Sequence, residues 1–438
     1  MKGRAVSSMF FFSVFFTALS FADEPCQSPY MPKIAGQEDY IYVWTLGVPG
    51  LGDGSDKLVV VDVNPKSKTY AKVVSYVSVG GRHEAHHCGF TEDRWYLWCG
   101  GLDDSKIFIF DIGSNPKNPK LVKVIENFVQ KSGGVVGPHT FYALPGRMLI
   151  TGLSNDKDKG GKTALVEYTN DGNYIRTVWI PTELNGVKGD GYGYDVRVNA
   201  NLNLMLTSSF TGHRNYMRPI SEVVKDPTAT FGNTMVLWNY HTMKPLKIFH
   251  VPGAPLEIRW AINPKHEYAF TSTALTSELW LIYRDKDGEW KAKSVAKIGP
   301  KGKELQTLPL DISLSSDDRY IFVGAYDGIL RVYNVENPHK PKLILEKKIS
   351  DQINMVSESW DGKRIYVTTS LLYNWDKPNI PQVLKAYEWD GKDLKPLFTL
   401  DFTKEKLGRP HLMNFGQEAY YKGLVRSTKG SGVAKASF

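Results

Sequence analysis

DDSKIFIFDIGSNPKNPKLVKVIE, starting at Asp103, and YDGILRVYNVENPHKPKLILEKKI, starting at Tyr326, share one layout. Each has an alternating apolar strand, an Asn-Pro turn with lysines, and a second strand, which is the pattern of a β-hairpin. Weaker copies follow the same plan: DKLVVVDVNPKSKTYAKVVSYV from Asp56, ALVEYTNDGNYIRTVWI from Ala164, TMVLWNYHTMKPLKIFHV from Thr234, ELWLIYRDKDGEWKAKSVAKI from Glu278 and VLKAYEWDGKDLKPLFTL from Val383, making seven hairpins. Between successive hairpins lies a turn followed by a short apolar strand, as in TEDRWYLWCG, ALPGRMLITG, NPKHEYAFTST and SSDDRYIFVG. Four strands per unit, at a period of about 45 to 70 residues, mark propeller blades: none buries its faces alone, and the ring must close to complete the core. The sequence therefore predicts an all-β, seven-bladed β-propeller over residues 23–420, with the starts of the innermost strands around a central channel.

Composition agrees with a folded chain. Of 438 residues, 42% are hydrophobic and 23% charged, the balance of an ordinary globular protein. The opening MKGRAVSSMFFFSVFFTALSFADEP has two early basic residues, an apolar run from Met9 to about Leu19 and small residues at Ser20 and Ala22. That is the layout of a secretory signal peptide over residues 1–22, its apolar run short of the roughly 20 residues a membrane span needs. No other stretch is apolar enough to span, so the mature chain is expected to be exported without a membrane span. Export would place Cys26, Cys88 and Cys99 in an oxidising compartment. Three is an odd number, and whether Cys88 pairs with Cys99 is open at this stage. The net charge of +8 includes Lys2 and Arg4 of the leader, the lysines are scattered through turns, and no nucleic-acid motif is present. Residues 421–438 are basic and rich in small residues and are expected to form a frayed tail.

The chemistry lies in RHEAHHCGF, residues 82–90, with three histidines within five positions. Aligning the repeats places His87, His139, Asp195, Glu257, Asp311, Met355 and His411 at equivalent positions of successive innermost strands. If the last blade closes on the first, His411, His87 and His139 are neighbours on one arc. Imidazoles converging from rigid strands suit copper or zinc, and an open position beside three protein ligands suits catalysis. Successive strand residues point to opposite faces, so His86 can share a metal with His87 only if the chain is irregular there; His86 is a fourth ligand or a partner of one, and His83 ranks lower. The carboxylates Asp195, Glu257 and Asp311 are candidate catalytic groups, suited to hard cations or to hydrogen bonding. His213, His241, His250, His266 and His339 fall in turns or outer strands.

At these same residues the chain resembles a known family. The paired histidines of EAHHCGF, GYGYDV around Asp195, PLEIRW around Glu257, DISLSSDDRYIF around Asp311, TTSLLYNWDKPNIP near Tyr373 and LGRPH ending at His411 are similar, in the same order, to the selenium-binding protein family, whose members include methanethiol oxidases. The resemblance implies a propeller with copper as cofactor, held by His86, His87, His139 and His411, and export to the periplasm. It also implies oxidation of methanethiol, or a related small thiol, by O2 and water to formaldehyde, hydrogen sulfide and hydrogen peroxide. The channel carboxylates would then accept the thiol proton or position water. One departure stands out. The longer members carry a Cys-containing insertion linked to selenium after the paired histidines, whereas here HHCGF runs straight into TEDRWYLWCG, so selenium binding is not expected. Two other functions fit a propeller: a lactonase-type hydrolase with calcium on Asp195, Glu257 and Asp311, and a copper-binding or scaffold module.

Overall fold

Each repeated hairpin of the sequence forms the outer half of a four-stranded antiparallel blade. The computed structural model describes residues 27–157 and 161–431; the leader assigned to 1–22, and Cys26, lie outside them. Asp103 and Tyr326 open two such hairpins: Ile107–Asp111 pairs with Lys120–Ile125, and Ile329–Asn334 with Lys342–Lys348. The turn-and-strand elements supply the strand next inward, for example Tyr96–Gly101 and Tyr320–Ala325. Seven four-stranded sheets result. Six are built from consecutive strands. The seventh closes the ring, because the C-terminal strand Arg409–Gly416 pairs with Tyr40–Leu46 and becomes that blade's innermost strand.

Burial falls from the hub outward. The innermost strands Ala85–Phe90, Val135–Leu144 and Pro309–Leu314 are buried at every residue, while the outermost Lys72–Ser78 and Lys342–Lys348 are half exposed. Large apolar side chains from neighbouring blades fill the gaps: Trp44, Trp98, Phe108, Phe110 and Phe415 lie in one cluster, and the Trp44 indole donates across the blade boundary to the Gly100 carbonyl at 3.0 Å.

The innermost strands are not regular. Pairing with the second strand skips His86 and His87 between Ala85 and Cys88, His139 and Thr140 between Pro138 and Phe141, Leu256 and Glu257 between Pro255 and Ile258, and Leu310 between Pro309 and Asp311. In the closing strand the skipped residue is His411. A bulge bends its strand and re-aims the side chains it carries. Here the bulges recur at the hub.

Three features were not read from the sequence. Cys88 and Cys99, cross-strand partners in the second blade, form a disulfide. The expected tail does not leave the fold at 421: Glu418–Ser431 is a helix, entered by the Glu418 N–H donating to Asp39 Oδ2 at 2.8 Å and seated by the buried Tyr421. Finally, two long insertions fold over one mouth of the channel. Residues 208–233 carry the short helices His213–Tyr216 and Ile220–Val223, and residues 369–382 form an irregular loop. Asn374 Nδ2 donates to the Met217 carbonyl at 3.0 Å and Trp375 Nε1 to the Arg218 carbonyl at 2.9 Å, pinning one insertion to the other. Among the described residues no helix is long and apolar enough to cross a membrane.

Candidate metal centre

The bulge in Ala85–Phe90 answers how adjacent histidines share one site. With pairing lost between Ala85 and Cys88, the His86 and His87 rings lie stacked, centroids 4.9 Å apart and planes 14° from parallel. His139, from the next blade, sits 3.9 Å from His87 and 4.8 Å from His86, centroid to centroid. One ligand atom from each of the three lies within 4.8 Å of the others. His411 arrives on the closing strand and packs on His86 at 3.8 Å. It stands slightly apart in chemistry: Asn354 Nδ2 lies 3.2 Å from His411 Nδ1 and 3.4 Å from Nε2, and His411 is not one of the compact three.

These imidazoles are buried and short of partners. His86 Nδ1, both nitrogens of His87 and His139 Nε2 make no hydrogen bond. Buried polar atoms in native proteins are normally paired, so four unpartnered imidazole nitrogens in one cluster leave donor capacity that a cation or ligand could use. Burial pushes His139 and His411 down to about 3, and it pushes His86 and His87 well below the ordinary histidine value, with the neighbouring imidazoles adding to the effect in that pair. The rings are therefore neutral at physiological pH, the form that ligates metals. His83 is elsewhere, its Nδ1 2.8 Å from Asp104 Oδ2.

The three carboxylates occupy the predicted hub positions, and two arginines separate them. Arg197 Nε donates to Asp195 Oδ2 at 2.9 Å and its Nη2 to Glu257 Oε2 at 3.0 Å. Arg259 continues the chain, Nη1 to Glu257 Oε2 at 3.0 Å and Nη2 to Asp311 Oδ1 at 3.1 Å. Asp195 and Asp311 also reach across to the next blades, accepting the backbone N–H of Ile258 at 2.9 Å and of Val356 at 2.8 Å. Burial raises Asp195 to about 6 against the opposing pull of Arg197. Guanidinium groups thus fill the space that a calcium ion shared by the three carboxylates would need. Glu257 differs from the other two: its Oε1 accepts no hydrogen bond and lies 3.8 Å from His87 Nε2. The arginines had a sequence signal, since DVR and EIR place an arginine two residues beyond the acid in successive repeats, on the same strand face.

Above the histidines, under the two insertions, is an apolar cavity. Its walls include His86, Tyr194, Phe210, Leu256, Leu310 and Trp375, and the centre of a water-sized molecule has about 20 Å³ within it. At the far ends of the innermost strands is a larger recess of mixed lining, about 320 Å³, bordered by Gln27, Arg197, Arg259, Ile258 and Trp260 among others.

The family model for the 56 kDa selenium-binding protein matches residues 22–408. The chain belongs to the selenium-binding protein family. Within it, the chain is 56% identical over 415 residues to a protein of Ruegeria pomeroyi named methanethiol oxidase, covering 92% of this chain and 95% of that one. It is 54% identical over 405 residues to a methanethiol oxidase of Hyphomicrobium, covering 91% and 92% respectively. Among solved structures, a hypothetical selenium-binding protein of Sulfolobus tokodaii superposes with a TM-score of 0.76 at 26% identity, covering 89% of this chain and 96% of that one. The paired histidines, the arginine ladder and the roofed cavity are thus the hub of a selenium-binding-family propeller.

Proposed function

We propose that this protein is a copper-dependent methanethiol oxidase that converts methanethiol, O2 and water into formaldehyde, hydrogen sulfide and hydrogen peroxide, and that it works in the periplasm. The observation that carries the proposal is the set of four unpartnered imidazole nitrogens on His86, His87 and His139 at a buried hub, in a chain 56% identical to a protein named methanethiol oxidase. An all-imidazole donor set fits copper. His86, His87 and His139 would hold the ion, with His411 packed on His86 completing the set. When bound, copper would supply the redox chemistry that passes two electrons from the methyl carbon of the thiol to O2, the sulfur leaving as hydrogen sulfide at the oxidation level at which it entered.

The protein's own groups set the stage for that chemistry. The apolar cavity excludes bulk water and receives the methyl end of the substrate beside His86. Glu257 is held through Oε2 by both arginines, which leaves Oε1 as the acceptor facing His87 Nε2 and hence the group placed to take up the thiol proton. Asp195 and Asp311, engaged by arginine and by backbone N–H groups of the next blade, hold Glu257 and the blades in place.

The test is metal analysis of protein isolated without chelator, followed by peroxide and sulfide release on adding methanethiol. Copper should be present and thiol-dependent release should be abolished in His87→Ala and His139→Ala. Release that persists in both variants would remove these histidines from the reaction, and copper bound without thiol turnover would favour a copper-binding module instead.

A further inference from the structure

The cavity over His86 has a construction that the histidine centre does not by itself require. One wall is a column of aromatic rings climbing from the histidines to the roof: His139 to Tyr194 at 4.0 Å between centroids, Tyr194 to Phe210 at 5.6 Å, and Phe210 to Trp375 at 5.8 Å. The top of the column is fixed. The Trp375 indole donates to the Arg218 carbonyl at 2.9 Å, and the Trp375 carbonyl accepts from Tyr326 Oη at 2.8 Å. Facing it are Leu256 and Leu310, at two of the bulges that break the innermost strands. Ala274 completes this side with a single methyl group. The floor is His86, whose Nδ1 has no partner.

We propose that this chamber is the binding site for the alkyl group of the thiol, and that Leu310, Phe210 and Ala274 set the longest chain accepted. The inference rests on the thiol-oxidase reading above. Size carries it: the centre of a water-sized molecule has only about 20 Å³ of travel in the chamber, so a short alkyl group with its sulfur directed at His86 is accommodated and a long one is not. Each added carbon brings the chain closer to the pinned wall. A rigid apolar pocket discriminates a single methylene by about 10- to 200-fold, and close-packed walls do not yield a methylene without strain. The rest of the lining is aliphatic and aromatic, with the hydroxyl-bearing Tyr194 and Tyr216 as its other polar side chains.

Three measurements decide it. Steady-state kcat/KM for methanethiol, ethanethiol and propanethiol should fall by about tenfold or more per added carbon in the wild-type protein. Leu310→Ala should raise the ethanethiol-to-methanethiol ratio by about tenfold, and Ala274→Val should lower it; a ratio unchanged in both variants overturns the chamber assignment. Because Leu310→Ala removes core volume and can weaken folding, crystals of the wild-type protein pressurised with xenon give an independent reading. Xenon seated between Leu310 and Phe210 supports a dry apolar site, whereas hydrogen-bonded water there with no xenon overturns it. A wild-type protein that binds xenon in the chamber but oxidises no thiol overturns the oxidase reading on which the inference rests, with the xenon result still standing.

Discussion

At the scale of single residues, the hub is a balance between neutral imidazoles and a charged ladder. Arg259 is 2% exposed and lies between Glu257 and Asp311. Removing one partner from a buried ion pair strands the other charge, at a cost of about 3–5 kcal/mol. Arg259→Met is therefore expected to lower the unfolding free energy by about that amount in a urea titration, without direct loss of a histidine. The imidazoles predict a pH effect of definite sign. His139 is held at about 3 in the fold and returns to about 6.5 in the unfolded chain, so between these values the unfolded state binds more protons and stability falls as pH falls. Metal-free wild-type protein should accordingly lose stability between pH 6.5 and 4 more steeply than metal-free His139→Asn, measured as the shift in urea midpoint. The histidines were legible in the sequence because the repeat fixes their register. The arginine ladder was not recognised, although DVR and EIR carry it, because its meaning depends on which acids ring closure brings alongside.

At the scale of elements, the outer hairpins were legible almost residue for residue, since their faces alternate and their turns are marked by Asn, Pro and Gly. The bulges were not. Nothing in EAHHCGF states that pairing lapses between Ala85 and Cys88, yet that lapse is what lets His86 join His87. The disulfide stands just beyond the bulge, joining Cys88 to Cys99 across a separation of 11 residues. A loop of that size restrains the unfolded chain by roughly 2–3 kcal/mol, and the bond also splints the strand that carries two histidines. Cys99→Ser is expected to lower the thermal midpoint measured by calorimetry, and addition of a reductant should lower the wild-type midpoint while leaving that of the variant unmoved. The helix Glu418–Ser431 had no sequence signal because its composition is polar and glycine-containing; the buried Tyr421 and the Asp39 bond to its first turn hold it against the fold.

At the scale of the molecule, the ring is closed by one strand, Arg409–Gly416, which brings His411 with it. Ending the chain at Lys406 would leave Tyr40–Leu46 an open, buried-type edge and remove one side of the histidine cluster. Such a truncation is expected to give no cooperative unfolding transition and to aggregate, as seen by calorimetry and light scattering. Blade number was predictable from seven hairpins, whereas closure entered the sequence reading only as a condition, and the strand that achieves it was not singled out. The roof was not predictable, because residues 208–233 and 369–382 break the repeat, and insertions that fit no template carry no register from which to place them.

The closing strand also sets an order of events in the life of the chain. His86 and His87 emerge from the ribosome long before His411, and the contact of His411 with His86 at 3.8 Å exists only after the closing strand has joined the first blade. A half-made propeller would therefore hold only part of the histidine cluster, and the full complement of imidazoles comes together with the final zip of the circle. On the copper reading proposed above, acquisition of the ion would thereby be coupled to quality control: a chain that has not finished folding would have no complete place to keep it.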